Sequence, residues 1–187
     1  HHSTDLSIMM NIVKPILRFF ADIGHPYQGI LYAGIMITAE GPMLLLFIDD
    51  SATPETQVVL PRIESDIVPY LVASTEAGGF NKVQPLTISQ LPAVCTVAMV
   101  EGYPGHYETG ALITGLHNDT KLGERQLMFH AGTKMKGNEL VTDGGRVLCG
   151  VGPGWTMPMA REQSLAALRG IHFDGITYRR DIAQGVQ

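Results

Sequence analysis

The chain has 187 residues, of which 45% are apolar and 17% are charged, and its formal net charge is −5. This length and composition allow one domain or two small ones with a sizeable core, and the low charged fraction excludes a disordered chain. The absence of a Lys/Arg cluster excludes a phosphate-tracking nucleic-acid surface, and no apolar run approaches the roughly 20 residues of a membrane helix.

The first part of the chain is predicted to be helix, hairpin and helix. Apolar residues recur at helical spacing over residues 5–23, where Pro15 marks a kink or a new first turn. Residues 29–38 and 43–48 are apolar segments on either side of a Gly-Pro turn, which predicts a β-hairpin. A second helix is predicted over residues 58–74.

A linker containing glycine and proline over residues 78–90 indicates a boundary between two domains, residues 1–80 and 90–187. The second domain contains short strands that alternate with turns. Asp143-Gly144, between two apolar runs, predicts a hairpin. A helix is predicted over residues 157–170. The predicted strands are 94–100, 111–114, 126–130, 139–142, 146–151 and 175–181. This organisation indicates an α+β fold rather than a doubly wound one.

Several sequence blocks in a fixed order resemble one known family. The first two blocks are PYQGILYAGIMITAEGP at residues 26–42 and PETQVVLPRIESDIV at residues 54–68. The later blocks are GYPGHYETGALITG, FHAGTK, VTDGGRVLC and FDGITYRRDI. In these blocks the chain resembles the C-terminal part of the phosphoribosylamine–glycine ligases, which are ATP-grasp enzymes of purine synthesis. The resemblance implies a partial ATP-grasp catalytic domain followed by a small β-rich C-terminal module.

The resemblance also implies an activity. The family joins glycine to phosphoribosylamine by first phosphorylating the glycine carboxylate with ATP, and Mg²⁺ bridges the ATP phosphates. The reaction takes place in the cytoplasm, where we expect this chain as well. The family's substrate-binding domain and ATP-grasp lid have no counterpart before residue 26, so the resemblance implies that less than half of a full ligase is present.

One strand departs from the family at the positions that bind metal. The family reads roughly Glu-x-Asn-x-Arg-Phe-Gly-Asp-Pro-Glu, whereas this chain reads LFIDDSATPE from residue 46. Leu46 and Ile48 therefore stand where the family has its two metal ligands, and Asp50 stands where it has an arginine. Glu55 lies in a retained Pro-Glu-Thr-Gln run and is the one candidate substrate-binding residue. Asp49-Asp50 is otherwise interpreted as a solvated loop.

The substitutions exclude the family's metal chemistry at this strand. Residues two apart on a strand point to the same face, so Leu46 and Ile48 present hydrocarbon where Mg²⁺ requires oxygen. Asp50 would lie about 6.6 Å beyond Ile48 and is a weak, displaced substitute. We therefore expect no metal, no catalytic residue and no cofactor for this chain, although the family uses ATP and magnesium. Leu44, Leu46 and Ile48 are predicted to form an apolar stripe that favours association.

Three functional hypotheses remain. The chain is a truncated or degenerate ligase homologue that is inactive alone, that is, a pseudoenzyme. Alternatively, it is a repurposed scaffold that associates through the apolar face as a homodimer or with another protein. A third hypothesis is a half-enzyme that a partner chain completes. None of the three involves a nucleic acid or a membrane.

Other candidate groups fit structural roles better than chemical ones. The glycine-rich run 150–154 lacks the spacing of a nucleotide-binding loop. His106 and His130 show no metal-binding spacing. Cys95 and Cys149 lie far apart in the sequence and are interpreted as two buried thiols in a reducing compartment.

Overall fold

The computed structural model of the chain describes residues 2–48, 53–116 and 126–186. Helices and antiparallel strands are mixed, which confirms the α+β class. The chain divides into two compact units. The first unit comprises residues 1–52 and 65–86, and the second comprises residues 53–64 and 87–187. The domain boundary placed in the 78–90 linker stays a prediction, because the two units interleave around residues 53–64.

The first unit begins with the predicted helix, which contains a wider turn. It consists of α1 (His2–Ile8), a π-helical turn (Met9–Val13) and α2 (Lys14–Asp22). In the wider turn the backbone N–H of Lys14 donates to the carbonyl of Met9, five residues back. Pro15 follows directly. Because it has no N–H and its ring would clash with the carbonyl four residues back, the α-helical series of hydrogen bonds is interrupted at this point. None of the described helices is long and apolar enough to cross a membrane.

The predicted hairpin is confirmed as β1 (Tyr32–Thr38) paired with β2 (Gly41–Ile48). The hydroxyl of Thr38 accepts a hydrogen bond of 3.2 Å from the backbone N–H of Glu40 and stabilises the turn. Gly41 has φ +117°, a conformation that only glycine adopts without strain. Helix α1 contacts β2.

The single helix predicted over residues 58–74 is wrong. The structure has α3 (Glu55–Val59), a 3₁₀ turn (Leu60–Arg62), an extended segment and then α4 (Val68–Ser74). Proline lies in the first turn of both the 3₁₀ segment and α4, where its missing N–H is tolerated. The carboxylate of Asp66 accepts a 3.0 Å hydrogen bond from the N–H of Val68 and fixes the new start.

The second unit is built on a four-stranded antiparallel sheet in the order β4-β7-β3-β8. A separate pair, β5 with β6, forms a second small sheet. Helix α5 (Met157–Leu168) packs on β7 and β3. The strands are β3 (Ala93–Val100), β4 (Leu127–His130), β5 (Thr133–Lys136), β6 (Glu139–Thr142), β7 (Arg146–Pro153) and β8 (Ile176–Thr177).

The hairpin predicted at Asp143-Gly144 is wrong, because β6 pairs with β5 and β7 pairs with β3 and β4. The chain crosses between the two sheets at this point: the N–H of Asp143 donates to the carbonyl of Gly132 at 2.7 Å. The predicted strand 111–114 is reduced to two isolated bridges, and the predicted strand 175–181 is reduced to β8. Strand β5 was not predicted.

The glycine-rich end of β7 brings α5 close to the sheet. A Cβ built on Gly152 would lie 2.3 Å from the backbone nitrogen of Ser164. A Cβ built on Gly150 would lie 2.9 Å from the backbone carbonyl oxygen of Ser164. Beneath the helix, the hydroxyl of Ser164 donates to the carbonyl of Gly150 at 2.8 Å and lies 2.7 Å from that of Thr96. These glycines are therefore packing residues, as the sequence indicated.

Candidate functional site

The site that the resemblance implies centres on strand β2. Ile48 is opposite Tyr32 and Leu46 is opposite Gly34 in the β1–β2 register. Opposed residues of an antiparallel pair point to the same face, as do residues two apart on a regular strand. Leu46 and Ile48 therefore share one face, as predicted. A Cβ built on Gly34 would lie 3.3 Å from Cγ of Leu46, which agrees with that assignment.

Leu44 points to the other face. The register shifts between Gly34 and Ile35, so that Ile35 is opposite Leu44 and Leu45 is the extra residue of a β-bulge. Gly34 and Ile35 are neighbours on β1 and therefore point to opposite faces. The predicted apolar stripe is wrong at Leu44, because a bulge resets the alternation of the bulged strand.

The side chains on the face of Leu46 are all uncharged. We call this surface the Leu46 face, and its side chains are Tyr32, Met36, Thr38, Met43, Leu46 and Ile48. Leu46 is 47% exposed and Ile48 is 37% exposed. Mg²⁺ requires several hard oxygen ligands, and the two family ligand positions supply none. The Leu46 face therefore does not fit a magnesium ion.

The remaining acidic candidates do not form a metal site within the described chain. Asp49 and Asp50 lie outside the described residues. In residues 2–48, 53–116 and 126–186, no group of three or more His, Cys, Asp or Glu side chains could hold a metal ion. Metal chemistry is therefore not assigned to any described side chain.

Glu55, the candidate substrate-binding residue, is exposed in the first turn of α3. Helix α3 belongs to the second unit and packs on β3 and β7 through Val58. The segment before it is held by Arg146, whose guanidinium donates to the carbonyl of Thr53 at 2.7 Å. The position of Glu55 is thus fixed by the C-terminal sheet, although its role in substrate binding stays a prediction.

The two thiols lie together in the core beneath α3. Cys95 is opposite Val151 and Cys149 is opposite Val97, so the two cysteines are diagonal neighbours on β3 and β7. Both are buried free thiols, as predicted. Their mutual hydrogen bond raises the pKa of Cys95, and burial adds to this. The same hydrogen bond lowers the pKa of Cys149, against the effect of its burial.

The two histidines in the sequence blocks are exposed and lie in separate local structures. Nδ1 of His130 is 3.0 Å from the hydroxyl of Thr133, three residues along the chain, at the turn between β4 and β5. His106 lies in the turn region after β3. This placement agrees with the structural interpretation of both residues.

A cavity of about 420 Å³ in the second unit had no counterpart in the sequence interpretation. One guanidinium nitrogen of Arg62 donates to the carbonyl of Ser89 at 2.9 Å at this cavity. No motif marks the cavity, because residues from four separate segments form it. Its lining consists of Pro61, Arg62, Glu64, Ser89, Leu91, Ala93, Leu127, Val151 and Pro153.

Two family models match the chain. The model described as phosphoribosylglycinamide synthetase, ATP-grasp (A) domain, matches residues 2–56. The model described as phosphoribosylglycinamide synthetase, C domain, matches residues 93–185. The first match includes α1 and α2, so the resemblance begins well before residue 26.

Curated relatives match almost the whole chain. The phosphoribosylamine–glycine ligase of Caldanaerobacter subterraneus subsp. tengcongensis is 39% identical over 93% of this chain and 40% of that protein. The ligase of Yersinia pestis is 38% identical over 94% of this chain and 40% of that protein. A crystal structure of the ligase from Thermotoga maritima has a TM-score of 0.71 and 32% identity, covering 91% of this chain and 42% of that one.

The family models, the curated relatives and the solved structure all point to the same enzyme and to the same part of it. The chain spans about 40% of the length of the curated relatives that it matches. Both matched domain types come from the same enzyme and occur in the order of the sequence blocks. The chain belongs to the phosphoribosylamine–glycine ligase family, as a part of the ATP-grasp A domain followed by the C domain.

Proposed function

We propose that this chain is a ligase-derived component that does not by itself join glycine to phosphoribosylamine. The observation that carries the proposal is the Leu46 face, where Leu46 and Ile48 occupy the two positions of the family's metal ligands. The chain also spans about 40% of its curated relatives. A cytoplasmic location suits its two free thiols, which persist in a reducing compartment.

Without oxygen ligands at positions 46 and 48, the chain lacks the groups that would hold a metal for phosphoryl transfer from ATP. Phosphoryl transfer from ATP depends on positioning and on neutralising the phosphate charge with a metal. A triphosphate placed over the Leu46 face would meet apolar side chains, and burying its charge there without a counter-ion is strongly unfavourable. We therefore expect no productive Mg·ATP site on this chain alone.

Two measurements test the proposal. Titration of the chain with Mg·ATP in a calorimeter is expected to give no Mg-dependent heat of binding. An assay of glycine-dependent ATP turnover is expected to show no activity above the background without protein. Mg-dependent binding by the chain, or turnover that requires glycine and phosphoribosylamine, would overturn the proposal.

A matched variant distinguishes the effect of the substituted strand from that of the part of the ligase that the chain does not span. Leu46→Glu with Ile48→Asn restores the two family ligands on the same face. Because the chain spans only part of a ligase, we expect this variant to remain without turnover. Activity in the restored variant alone would show that the substituted strand, and not the limited span of the chain, prevents catalysis.

The exposed hairpin favours a second candidate, a scaffold that acts by association. Apolar side chains on both faces of β2 are exposed, with Leu46 at 47% on one face and Leu44 at 41% on the other. Surfaces of this kind mark protein interaction sites in soluble proteins. Light scattering at several concentrations tests homodimer formation: a mass that rises with concentration supports a homodimer, and a strict monomer counts against it. The third candidate, a half-enzyme that a partner chain completes, would also use this surface.

A further inference from the structure

A cleft of about 340 Å³ beside α5, in the second unit, is lined mainly by arginines. We call it the arginine cleft, and its lining consists of Arg161, Leu165, Arg169, Tyr178 and Arg180. None of these five side chains is acidic. The volume lies within the range of about 300–1,000 Å³ that is usual for small-molecule sites. The cleft is therefore large enough for a small anionic ligand.

The fold brings the two sides of the arginine cleft together. Its α5 side consists of residues four apart in the sequence, which lie along one side of a helix. Its other side, Tyr178 and Arg180, follows β8, and β8 pairs with β3, on which α5 packs. Arg161 holds the two sides in place: its Nε donates to the carbonyl of Ile182 at 2.8 Å, and a terminal nitrogen donates to the carbonyl of Arg180.

Two carboxylates lie near the arginine cleft, and each is already paired. Glu162 accepts a hydrogen bond from Arg169 in an exposed ion pair. Asp181 accepts from Arg179 at 2.8 Å. That hydrogen bond lowers the pKa of Asp181, and the charge of Arg161 adds to this effect. The four arginines of this region therefore exceed its two carboxylates by two charges.

Arg180 supplies the most accessible of these guanidinium groups. Its side chain is exposed, and its guanidinium carbon lies 6.0 Å from the centre of the Tyr178 ring. It forms no ion pair with a carboxylate of residues 2–48, 53–116 or 126–186. A guanidinium has five N–H donors in a rigid fork, which matches the oxygens of a phosphate group.

A structural role accounts for only part of the arginine cleft. Arg161 holds the segment after β8, and Arg169 is the C-cap residue of α5, where a positive charge stabilises the helix end. Neither role involves the guanidinium of Arg180. The whole chain carries a net charge of −5, so a local excess of positive charge is set against the character of the molecule and favours an anion at this place.

We propose that the arginine cleft binds the phosphate group of a small phosphomonoester, with Arg169 and Arg180 donating to the phosphate oxygens. Hydrogen bonds between guanidinium and phosphate join two charged groups and are roughly twice as strong as neutral ones. A phosphomonoester dianion matches the excess of two positive charges, whereas a carboxylate supplies one negative charge. Leu165 and Tyr178 provide apolar surface for the organic part of the ester.

Calorimetric titration of the full 187-residue chain tests the inference. The probes are phenyl phosphate, inorganic phosphate and phenylacetate, in a magnesium-free buffer that contains a chelator. We expect saturable one-to-one binding of phenyl phosphate with a Kd below about 1 mM, and weaker binding of the other two probes. Phenylacetate tests the need for a dianion, because it carries a similar ring and a single negative charge.

A pair of variants assigns the binding to the arginine cleft. Arg180→Gln removes the exposed guanidinium and is expected to weaken the binding of phenyl phosphate at least about tenfold. Arg18→Gln is the matched control, because it removes the same charge from an exposed position on α2, in the first unit. We expect this control to bind as the unchanged chain does. Arg169→Gln gives a second, independent loss of affinity, and circular dichroism checks that each variant is folded.

Several results would overturn the inference. One is the absence of saturable binding, and another is an equal loss of affinity in Arg180→Gln and Arg18→Gln, which would indicate general attraction to positive charge. Phenylacetate or inorganic phosphate binding as tightly as phenyl phosphate would contradict the assignment to a phosphomonoester. None of these results bears on the proposed function, because the titrations contain no magnesium and the arginine cleft shares no residue with the Leu46 face.

Discussion

The two units of this chain differ in how they bury apolar side chains. In the second unit a contiguous core runs between the sheet and α5, and it includes Val147 and Leu148, both fully buried. In the first unit many large apolar side chains remain exposed, and Leu45 of β2 is 63% exposed. Burial of apolar area is the main favourable term in folding, so the second unit holds itself together far better than the first.

The two units also match different family models. The second unit contains the whole match to the C domain, and it has its own sheet, helix and core. The first unit contains most of the match to the ATP-grasp domain, residues 2–56, and it has no comparable core among its described residues. A domain is stable when its own elements cover its core, so the two units are expected to differ in stability.

The largest expected effect is a contrast between two leucines. Leu148→Ala removes a fully buried side chain from the core of the second unit and is expected to lower the free energy of unfolding by about 2–5 kcal/mol. Leu46→Ala truncates a side chain that is 47% exposed, and we expect a change within about 0.5 kcal/mol. Urea unfolding followed by circular dichroism measures both. Similar losses for the two variants would mean that the first unit has a core of its own.

Hydrogen exchange compares the two units in one sample. Backbone amides of β3 and β7 lie in a four-stranded sheet covered by α5, whereas those of β1 and β2 lie in a two-stranded sheet. Amides exchange through the local opening of their own element, so β1 and β2 are expected to exchange at least about 100-fold faster. Equal protection of the two sheets would contradict the comparison.

The features that could be predicted from sequence are those with an unbroken local pattern. The β1–β2 hairpin, β3, β7 and α5 were predicted because alternation, helical spacing and turn residues agree within each segment. One feature of the first part of the chain could not be predicted in this way. The split of the predicted helix 58–74 depends on the pairing of Ile63 with Ile88, a contact between distant residues.

The candidate site shows a second limit of sequence interpretation. The residues that replace the family's ligands, Leu46 and Ile48, were identified from sequence because the surrounding blocks fix the register. The bulge at Leu45 was not, because a continuous apolar run has no alternation to mark the extra residue. The partner of β6 was also missed, since Asp143-Gly144 is a hairpin signal locally and a crossing between sheets in the fold.

The hydrogen bonds between α5 and the sheet are expected to contribute to the stability of the second unit. Ser164→Ala removes the hydroxyl that donates to the carbonyl of Gly150 and contacts the hydroxyl of Thr96. Two buried polar groups then lose a partner, and we expect a loss of about 1–3 kcal/mol in the free energy of unfolding. The double variant Thr96→Val with Ser164→Ala is expected to recover part of that loss. Additive losses would show that the two hydroxyls act independently.

The smallest effect concerns the thiol pair, which lies in the second unit beneath α3. The hydrogen bond between the thiols lowers the pKa of Cys149 and raises that of Cys95. Cys149 contributes to the free energy of unfolding above the unfolded thiol pKa of about 8.5. This contribution is lost as the pH falls through the lower pKa of Cys149 in the folded chain. Cys95 contributes to the free energy of unfolding below about pH 8.5. This contribution is lost as the pH rises toward the higher pKa of Cys95 in the folded chain.

Above about pH 9 the unfolded chain has therefore lost both thiol protons, whereas the folded chain keeps the one on Cys95. The stability of the folded chain should fall by up to about 1.4 kcal/mol per pH unit from this group. In Cys95→Ser the hydroxyl still donates to the Cys149 thiolate but does not ionise, so this fall should disappear. Urea unfolding at pH 8, 9 and 10 measures the difference between the two proteins, in which all other titrating groups are shared. Parallel pH profiles would mean that the two thiols do not share a proton, and that the core beneath α3 is held by its apolar contacts alone.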